Sequence, residues 1–275
     1  MASSNLEIAA FDAIAAVYDA VEARNPILQW MRDRVQRAAL SAFPRHGCLL
    51  EIGCGTGVDA LFFARRGYRL VAVEPSAQML GVAKDKIAAA GFSGAVEFWP
   101  GGAASLDEVI ASYRAASFDG IFSNFGALNC VADLRRFARD AAVLLRPGGR
   151  MLLSLMPPVC PWEIVYYLLK GKPSEAFRRW RGRTGTDGIA VRVGKQWVQT
   201  YYHFAAAIRA AGARDFDLEK QFALGLLAPP PYLQGVMKHQ KFFNSLVRFE
   251  KLMAGLPLLR NGGDHLVVIL RKRDD

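Results

Sequence analysis

The sequence predicts an α/β fold in which a parallel sheet is covered by helices on both faces. Three observations carry the prediction. An apolar stretch from Cys48 to Ile52 runs into glycines at alternate positions, Gly53, Gly55 and Gly57, and a helical pattern begins at once. A second apolar run, Leu70 to Val73, ends in an acid, Glu74. Short apolar runs and helix-length segments then keep alternating, and such alternation buries strands between layers of helix.

The elements follow in order. Ile8, Phe11, Ile14, Ala15 and Tyr18 fall on one side of a first helix. Asn25-Pro26 starts a second, with Ile27, Trp30, Met31 and Val35 on one side, because Asn caps a helix and Pro suits its first turn. Pro44 to Gly47 break the pattern. Strands are expected near 48–52, 69–74, 95–99, 118–123 and 149–155, and helices near 57–66, 76–90, 105–115 and 133–145. Right-handed crossovers gather the ligand loops at the carboxyl ends of such strands. Beyond Leu155 the pattern is irregular. A helix is expected over Trp162–Leu169, a loop over 181–188, a strand at Gln196–Thr200 and a helix over Tyr202–Ala211. Two last strands, Phe216–Ala223 and Leu266–Leu270, flank a long connection that contains Pro229-Pro230-Pro231 and a helix over Lys241–Met253.

The chain has 275 residues and is 52% hydrophobic, enough for one domain of 1–275: a helical cap (1–43), a core (44–155) and insertions (156–200 and 224–263) that build a substrate pocket. No apolar run approaches the ~18 residues that span a bilayer. The start lacks a basic segment and contains Glu7 and Asp12, unlike a secretory signal. Cys48, Cys54, Cys130 and Cys160 lack metal-ligand spacing and are expected as free thiols in a reducing cytoplasm. The net charge of +10 favours anionic partners, with basic residues concentrated at 170–183, at 32–37 and at 271–273.

The glycine loop followed by Glu74 has the layout of a nucleoside site, since an acid at the end of the second strand can accept from both ribose hydroxyls. A dinucleotide fingerprint needs a small residue where Val58 stands, and a phosphate-binding loop needs a Lys after Gly57; both fail. Glu51 with Gly53, Gly55 and Gly57 instead resembles the first motif of the class I S-adenosylmethionine-dependent methyltransferases. Val73–Leu80 resembles that family's second-strand acid and the helix after it. Phe118–Phe122 resembles its fourth strand, and Leu145–Arg150 the turn before its fifth. The signals keep the family's order and cover about 43–155. The small-molecule branch, of the ubiquinone/menaquinone methyltransferase type, is the most similar.

The resemblance implies a Rossmann-like seven-stranded, mostly parallel sheet with an antiparallel last strand, N-terminal helices and lid insertions. It implies S-adenosylmethionine as cofactor, with S-adenosylhomocysteine as product. Gly53, Cys54 and Gly55 would line the methionine end, Glu51 would orient that loop or the cofactor's ammonium, and Glu74 would hold the ribose. Pro75, Met79, Ala103 and Ala104 would flank the adenine, with Ala where many members have an Asp. Asn124 and Phe125 would lie beside the sulfonium. Tyr18, in a Phe-Asp-x-Ile-Ala-x-x-Tyr-Asp segment, would close over the cofactor, and Arg32 would pair with its carboxylate. Asn129 and His203 are the expected catalytic residues, with His239 and His265 as further candidates. No metal is implied.

The acceptor is expected to be a small molecule, lipid-like or aromatic. A nucleic acid substrate is disfavoured, because Ser123-Asn124-Phe125-Gly126 replaces the Asn/Asp-Pro-Pro-aromatic motif of amino-group methylation. Val159-Cys160-Pro161 likewise has the wrong order for a Pro-Cys nucleophile. The Trp162–Leu169 helix beside Lys170 and Lys172 suggests contact with an anionic membrane. A protein that binds the cofactor without catalysis stays open as an alternative.

Overall fold

Cys48–Ile52 forms β1 in the interior of a seven-stranded sheet, because its alternating side chains find apolar partners on both faces. The computed structural model describes residues 8–104 and 106–274; Glu7 and Ser105 lie outside them. β1 pairs in parallel with β2 (Arg69–Glu74) and β4 (Phe118–Ser123). β3 (Val96–Pro100) extends the sheet beyond β2, and β5 (Leu145–Leu155) beyond β4, both in parallel. With β8 (Phe216–Leu224) and β9 (His265–Lys272) the order is β3-β2-β1-β4-β5-β9-β8, so the chain reverses direction across the sheet between β1 and β4. That reversal opens a crevice above the strand ends.

Period-two alternation sorts the core into two layers. Leu49, Leu70, Ala72, Phe122 and Leu152 point to one face. Leu50, Val71, Val73, Ile121 and Leu153 point to the other. The first face is covered by α2 (Pro26–Ala42), α3 (Val58–Ala64), α4 (Ala77–Ala89) and, later in the chain, α11 (Gln240–Met253). The second is covered by α5 (Asp107–Ser112), α6 (Leu134–Leu144) and α10 (Ala205–Ala211). Phe63 anchors the first layer. Its fully buried ring packs edge-on against Phe62, Tyr68 and Phe122, with centroids 5.2, 5.5 and 5.0 Å away.

Before α2 lies α1 (Ala15–Ala23), preceded by a helical turn at 8–12. Asn25 caps α2, its Oδ1 accepting from the Ile27 and Leu28 amides, with Pro26 in the first turn. Helix α7 (Pro161–Leu169) leads into the one-turn helices α8 (Pro173–Ala176) and α9 (Arg178–Arg181). Strand β7 (Gln196–Thr200) pairs with β6 (Ile189–Val193), a partner absent from the sequence reading because every other β6 residue is solvent-facing. The expected 202–211 helix begins later, at Ala205, since the amides of Tyr201, Tyr202 and His203 bond instead to the Asn129, Gly182 and Met156 carbonyls. β8 (Phe216–Leu224) and β9 (His265–Lys272) pair antiparallel, and β9 inserts between β5 and β8, opposite to β5. None of the four cysteines is in a disulfide among the described residues.

Candidate functional site

The crevice at the strand reversal is a cavity of ≈ 630 Å³. Its floor is the ends of β1, β2 and β4, and its roof is the N-terminal segment. Of the thirteen residues expected around a cofactor, Tyr18, Arg32, Gly53, Cys54, Gly55, Glu74, Pro75, Met79, Ala103, Ala104, Asn124 and Phe125 line it. Glu51 does not. The loop geometry explains the glycine spacing. Gly53 and Gly55 take φ of +71° and +54°, where side chains are strained. A Cβ on Gly53 would lie 2.3 Å from that of Ala127, whereas one on Gly55 would meet nothing within 4 Å. Gly53 is therefore demanded by packing, and Gly55 opens the backbone onto the cavity.

Glu74 is nearly buried. One carboxylate oxygen accepts from the Gly55 amide and the other from the Ser76 amide, each at 2.9 Å. Burial raises its pKa, and the two amides partly counter this. A carboxylate offers about four acceptor positions, so each oxygen keeps capacity for a sugar hydroxyl. Behind the loop, Glu51 is 3% exposed and its Oε2 is buried with no hydrogen-bond partner among the described residues. Burial, followed by the nearby Asp59 charge, holds its pKa well above the usual carboxylate range. An unsatisfied acceptor beneath an open glycine turn suits a ligand bearing donors or positive charge.

The roof is fastened by acids the sequence reading did not single out. Asp12 Oδ1 accepts from the Ser76 hydroxyl (2.6 Å) and the Gln78 amide (3.1 Å). Asp19 accepts from the Thr56 hydroxyl (2.5 Å) and pairs with Lys86 (2.6 Å). Asp59 on α3 is the hub. It accepts from Gln36 (2.7 Å), Asn124 (3.1 Å) and Arg32, joining α2, α3 and the end of β4. The only sequence signal for these roles was a run of acids in apolar helices.

Three of the expected site residues are already engaged by other groups of the protein. Arg32 does not present an unpaired charge to the cavity. Its guanidinium is shared between Asp59 and both oxygens of Glu22 (2.7 and 2.8 Å) and lies 4.6 Å above the Phe125 ring. Burial lowers its pKa, but the two carboxylates outweigh burial and raise it. Asn129 is fully buried, and its side chain binds the Met156 carbonyl and amide and the Tyr201 carbonyl, so it clamps three backbone segments instead of facing a substrate. His203 is fully buried too. Its Nε2 donates to the Leu128 carbonyl (3.2 Å), and its Nδ1 accepts from Thr184 (2.9 Å). Burial pushes its pKa down to about 4. With both nitrogens engaged, it has no lone pair for proton transfer. His239 stands exposed at the start of α11, and His265 lies behind Phe125.

Residues 49–149 match the family described as a methyltransferase domain. This segment is a class I S-adenosylmethionine-dependent methyltransferase domain. The chain is 32% identical over 136 residues to the ubiquinone biosynthesis O-methyltransferase of Rhizobium johnstonii, covering 47% of this chain and 52% of the relative. It is 29% identical over 146 residues to the demethylmenaquinone methyltransferase of Symbiobacterium thermophilum, covering 52% and 55%. The chain thus spans about half the length of the curated relatives it matches. The fold resembles that of geranyl diphosphate C-methyltransferase from Streptomyces coelicolor A3(2), with a TM-score of 0.59 and 12% identity over 89% of this chain and 80% of that one. It also resembles the [4+2]-cyclase SpnF, with a TM-score of 0.57 and 16% identity over 88% and 81%. The methyltransferase fold therefore extends well beyond the segment that the family match covers.

Proposed function

We propose that the chain transfers a methyl group from S-adenosylmethionine to a small-molecule acceptor, lipid-like or aromatic. The observation that carries this is Glu74, buried at the end of β2 with one oxygen on the Gly55 amide, across a glycine turn that leaves its Cβ direction empty. The bound cofactor supplies an activated methyl on a positively charged sulfur. In this reading Glu74 receives the ribose hydroxyls, Pro75, Met79, Ala103 and Ala104 flank the adenine, and Gly53, Cys54 and Gly55 border the methionine end, with Glu51 orienting their loop from behind. Asn124 and Phe125 border the methyl, and Tyr18 closes the roof. Residues 1–43 act as the cap, and 156–200 with 224–263 shape the acceptor side. Catalysis then consists largely of alignment and exclusion of water.

Calorimetry tests the binding step. S-adenosylhomocysteine should bind and NAD should not, and Glu74→Ala should weaken binding by roughly 1–3 kcal/mol, the worth of charge-assisted hydrogen bonds. NAD binding with no response to S-adenosylhomocysteine would end the proposal.

A membrane-facing setting is supported by the surface. Val165, Leu168 and Leu169 on α7 are exposed beside Lys170 and Lys172, and Leu252, Leu256 and Leu258 are exposed beside Lys251. Both regions adjoin Leu227, whose carbonyl accepts from Trp162 and whose amide donates to Glu250. No helix among the described residues is long and apolar enough to cross a membrane. Co-sedimentation with anionic vesicles, and none with zwitterionic ones, is the expected outcome.

A further inference from the structure

Helix α3 is apolar on two sides. Ala60, Phe63 and Ala64 turn inward and belong to the core. Val58, Leu61, Phe62 and Arg65 stand at i, i+3, i+4 and i+7, a second stripe that the core does not bury. This stripe, with Leu28 of α2, forms the floor of a second cavity of ≈ 600 Å³, a groove bordered by α1, α2, α3 and α4. Small-molecule sites commonly measure about 300–1,000 Å³. The groove shares Arg32 and Val58 with the cofactor crevice and otherwise lies apart from it, so the methyl-transfer reading leaves it unused.

Charge around that floor is uneven. Its carboxylates already hold cations: Asp19 pairs with Lys86 at 2.6 Å, Glu22 with Arg32 at 2.7 Å, and Asp33 with Arg37 at 2.5 Å. Arg65 and Arg66, exposed at the end of α3, pair with no carboxylate among the described residues. The Arg66 guanidinium lies 3.6 Å from the centre of the Phe62 ring and donates to the Phe62 carbonyl at 2.9 Å, which holds it against the floor. Val58 and Arg65 are about 10 Å apart along the helix axis. The groove is thus an apolar track with two uncompensated guanidiniums at one end. A carboxylate matches their forked donors, and an alkyl chain matches the track.

We propose that this groove is a second ligand site for an alkyl carboxylate, and that its occupant tightens cofactor binding; the site stands by itself, and the coupling rests on the methyl-transfer reading above. The head group sits on Arg65 and Arg66, and the chain lies along Phe62, Leu61, Val58 and Leu28. The coupling follows from what α1 touches. Asp19 and Glu22 of α1 border the groove, while Tyr18 between them lines the cofactor crevice. Asp19 also accepts from the hydroxyl of Thr56, a residue of the glycine loop that lines that crevice. Glu22 holds Arg32, which lines both cavities. A chain packed between α1 and α3 therefore fastens the roof over the glycine loop. Whatever favours that arrangement favours the cofactor it encloses, and by linkage the reverse holds too.

Calorimetry with monomeric decanoate tests the site without any cofactor. Decanoate should bind wild type. Decanol and acetate, which carry the chain or the charge alone, should each bind at least about tenfold more weakly, the worth of charge-assisted hydrogen bonds or of the buried chain. The double variant Arg65→Gln, Arg66→Gln changes two exposed side chains, so it should keep its melting temperature and its S-adenosylhomocysteine affinity yet lose decanoate. Saturating decanoate should tighten S-adenosylhomocysteine binding to wild type by about fivefold or more, and saturating S-adenosylhomocysteine should tighten decanoate by the same factor. The double variant should show neither effect. Absence of decanoate binding, equal binding of decanol, full binding by the double variant, or S-adenosylhomocysteine affinity that decanoate leaves unchanged or weakens would each overturn the proposal. Decanoate binding to a wild type that ignores S-adenosylhomocysteine would instead keep the site and remove the methyl-transfer reading, with the coupling built on it.

Discussion

Asp59→Ala should separate the roof from the floor of the crevice. Asp59 is 3% exposed and accepts from three side chains, Arg32, Gln36 and Asn124. Truncation leaves the Gln36 and Asn124 amides each without an acceptor in a buried setting, at about 1–3 kcal/mol apiece. Breaking a buried ion pair by removing one partner costs about 3–5 kcal/mol, but Arg32 keeps both oxygens of Glu22 and stays at the low end. These costs share partners and do not add. We therefore expect a loss of about 3–5 kcal/mol, read as a lower urea midpoint at unchanged slope. Asp59→Asn, which keeps one acceptor oxygen, should lose less. Affinity for S-adenosylhomocysteine should fall in the same order, because Arg32 and Asn124 both line the cavity. A stability change below about 1 kcal/mol in the alanine variant would show that the three bonds are not held in solution, and the clamp would be refuted.

Phe63→Ala should cost about 3–5 kcal/mol, since it removes a fully buried ring packed against three others; urea unfolding reads it directly. Cofactor-product affinity should weaken on acidification. Glu74 accepts sugar hydroxyls fully only when ionised, and burial raises its pKa, so the loss begins above the ordinary carboxylate range and should vanish in Glu74→Gln. His203 should contribute pH-dependent stability. Its pKa is depressed to about 4 in the folded chain, so its contribution is complete above the unfolded value near 6.5 and disappears as pH falls towards 4. The size is about 3 kcal/mol, and His203→Gln should flatten that part of the stability profile measured by denaturant titration.

The glycine loop, Glu74 and the helix cap at Asn25 were legible because each depends on residues adjacent in the chain. A glycine at positive φ, an acid at a strand end and an Asn before Pro carry their geometry with them. The strands were legible because burial on two faces demands continuous apolar runs. β6 escaped notice because its hairpin lies outside the main sheet and buries little. Asn129 and His203 misled for the opposite reason. Their chemistry suggested catalysis, but partners 72 and 75 residues away consume their polar groups.

The sequence by itself determined the fold class, the succession of strands and helices in the cofactor half and the nucleoside-binding character of the loop, since these follow from local periodicity and backbone freedom. Tertiary structure alone decided that Asp59 ties the roof to the floor, that Arg32 is already neutralised, and that His265 lies behind Phe125. Each of those facts is a distance between groups far apart in the chain. Hydrogen bonds and ion pairs act over only a few ångströms, so they exist only once the sheet and its insertions have brought such groups together.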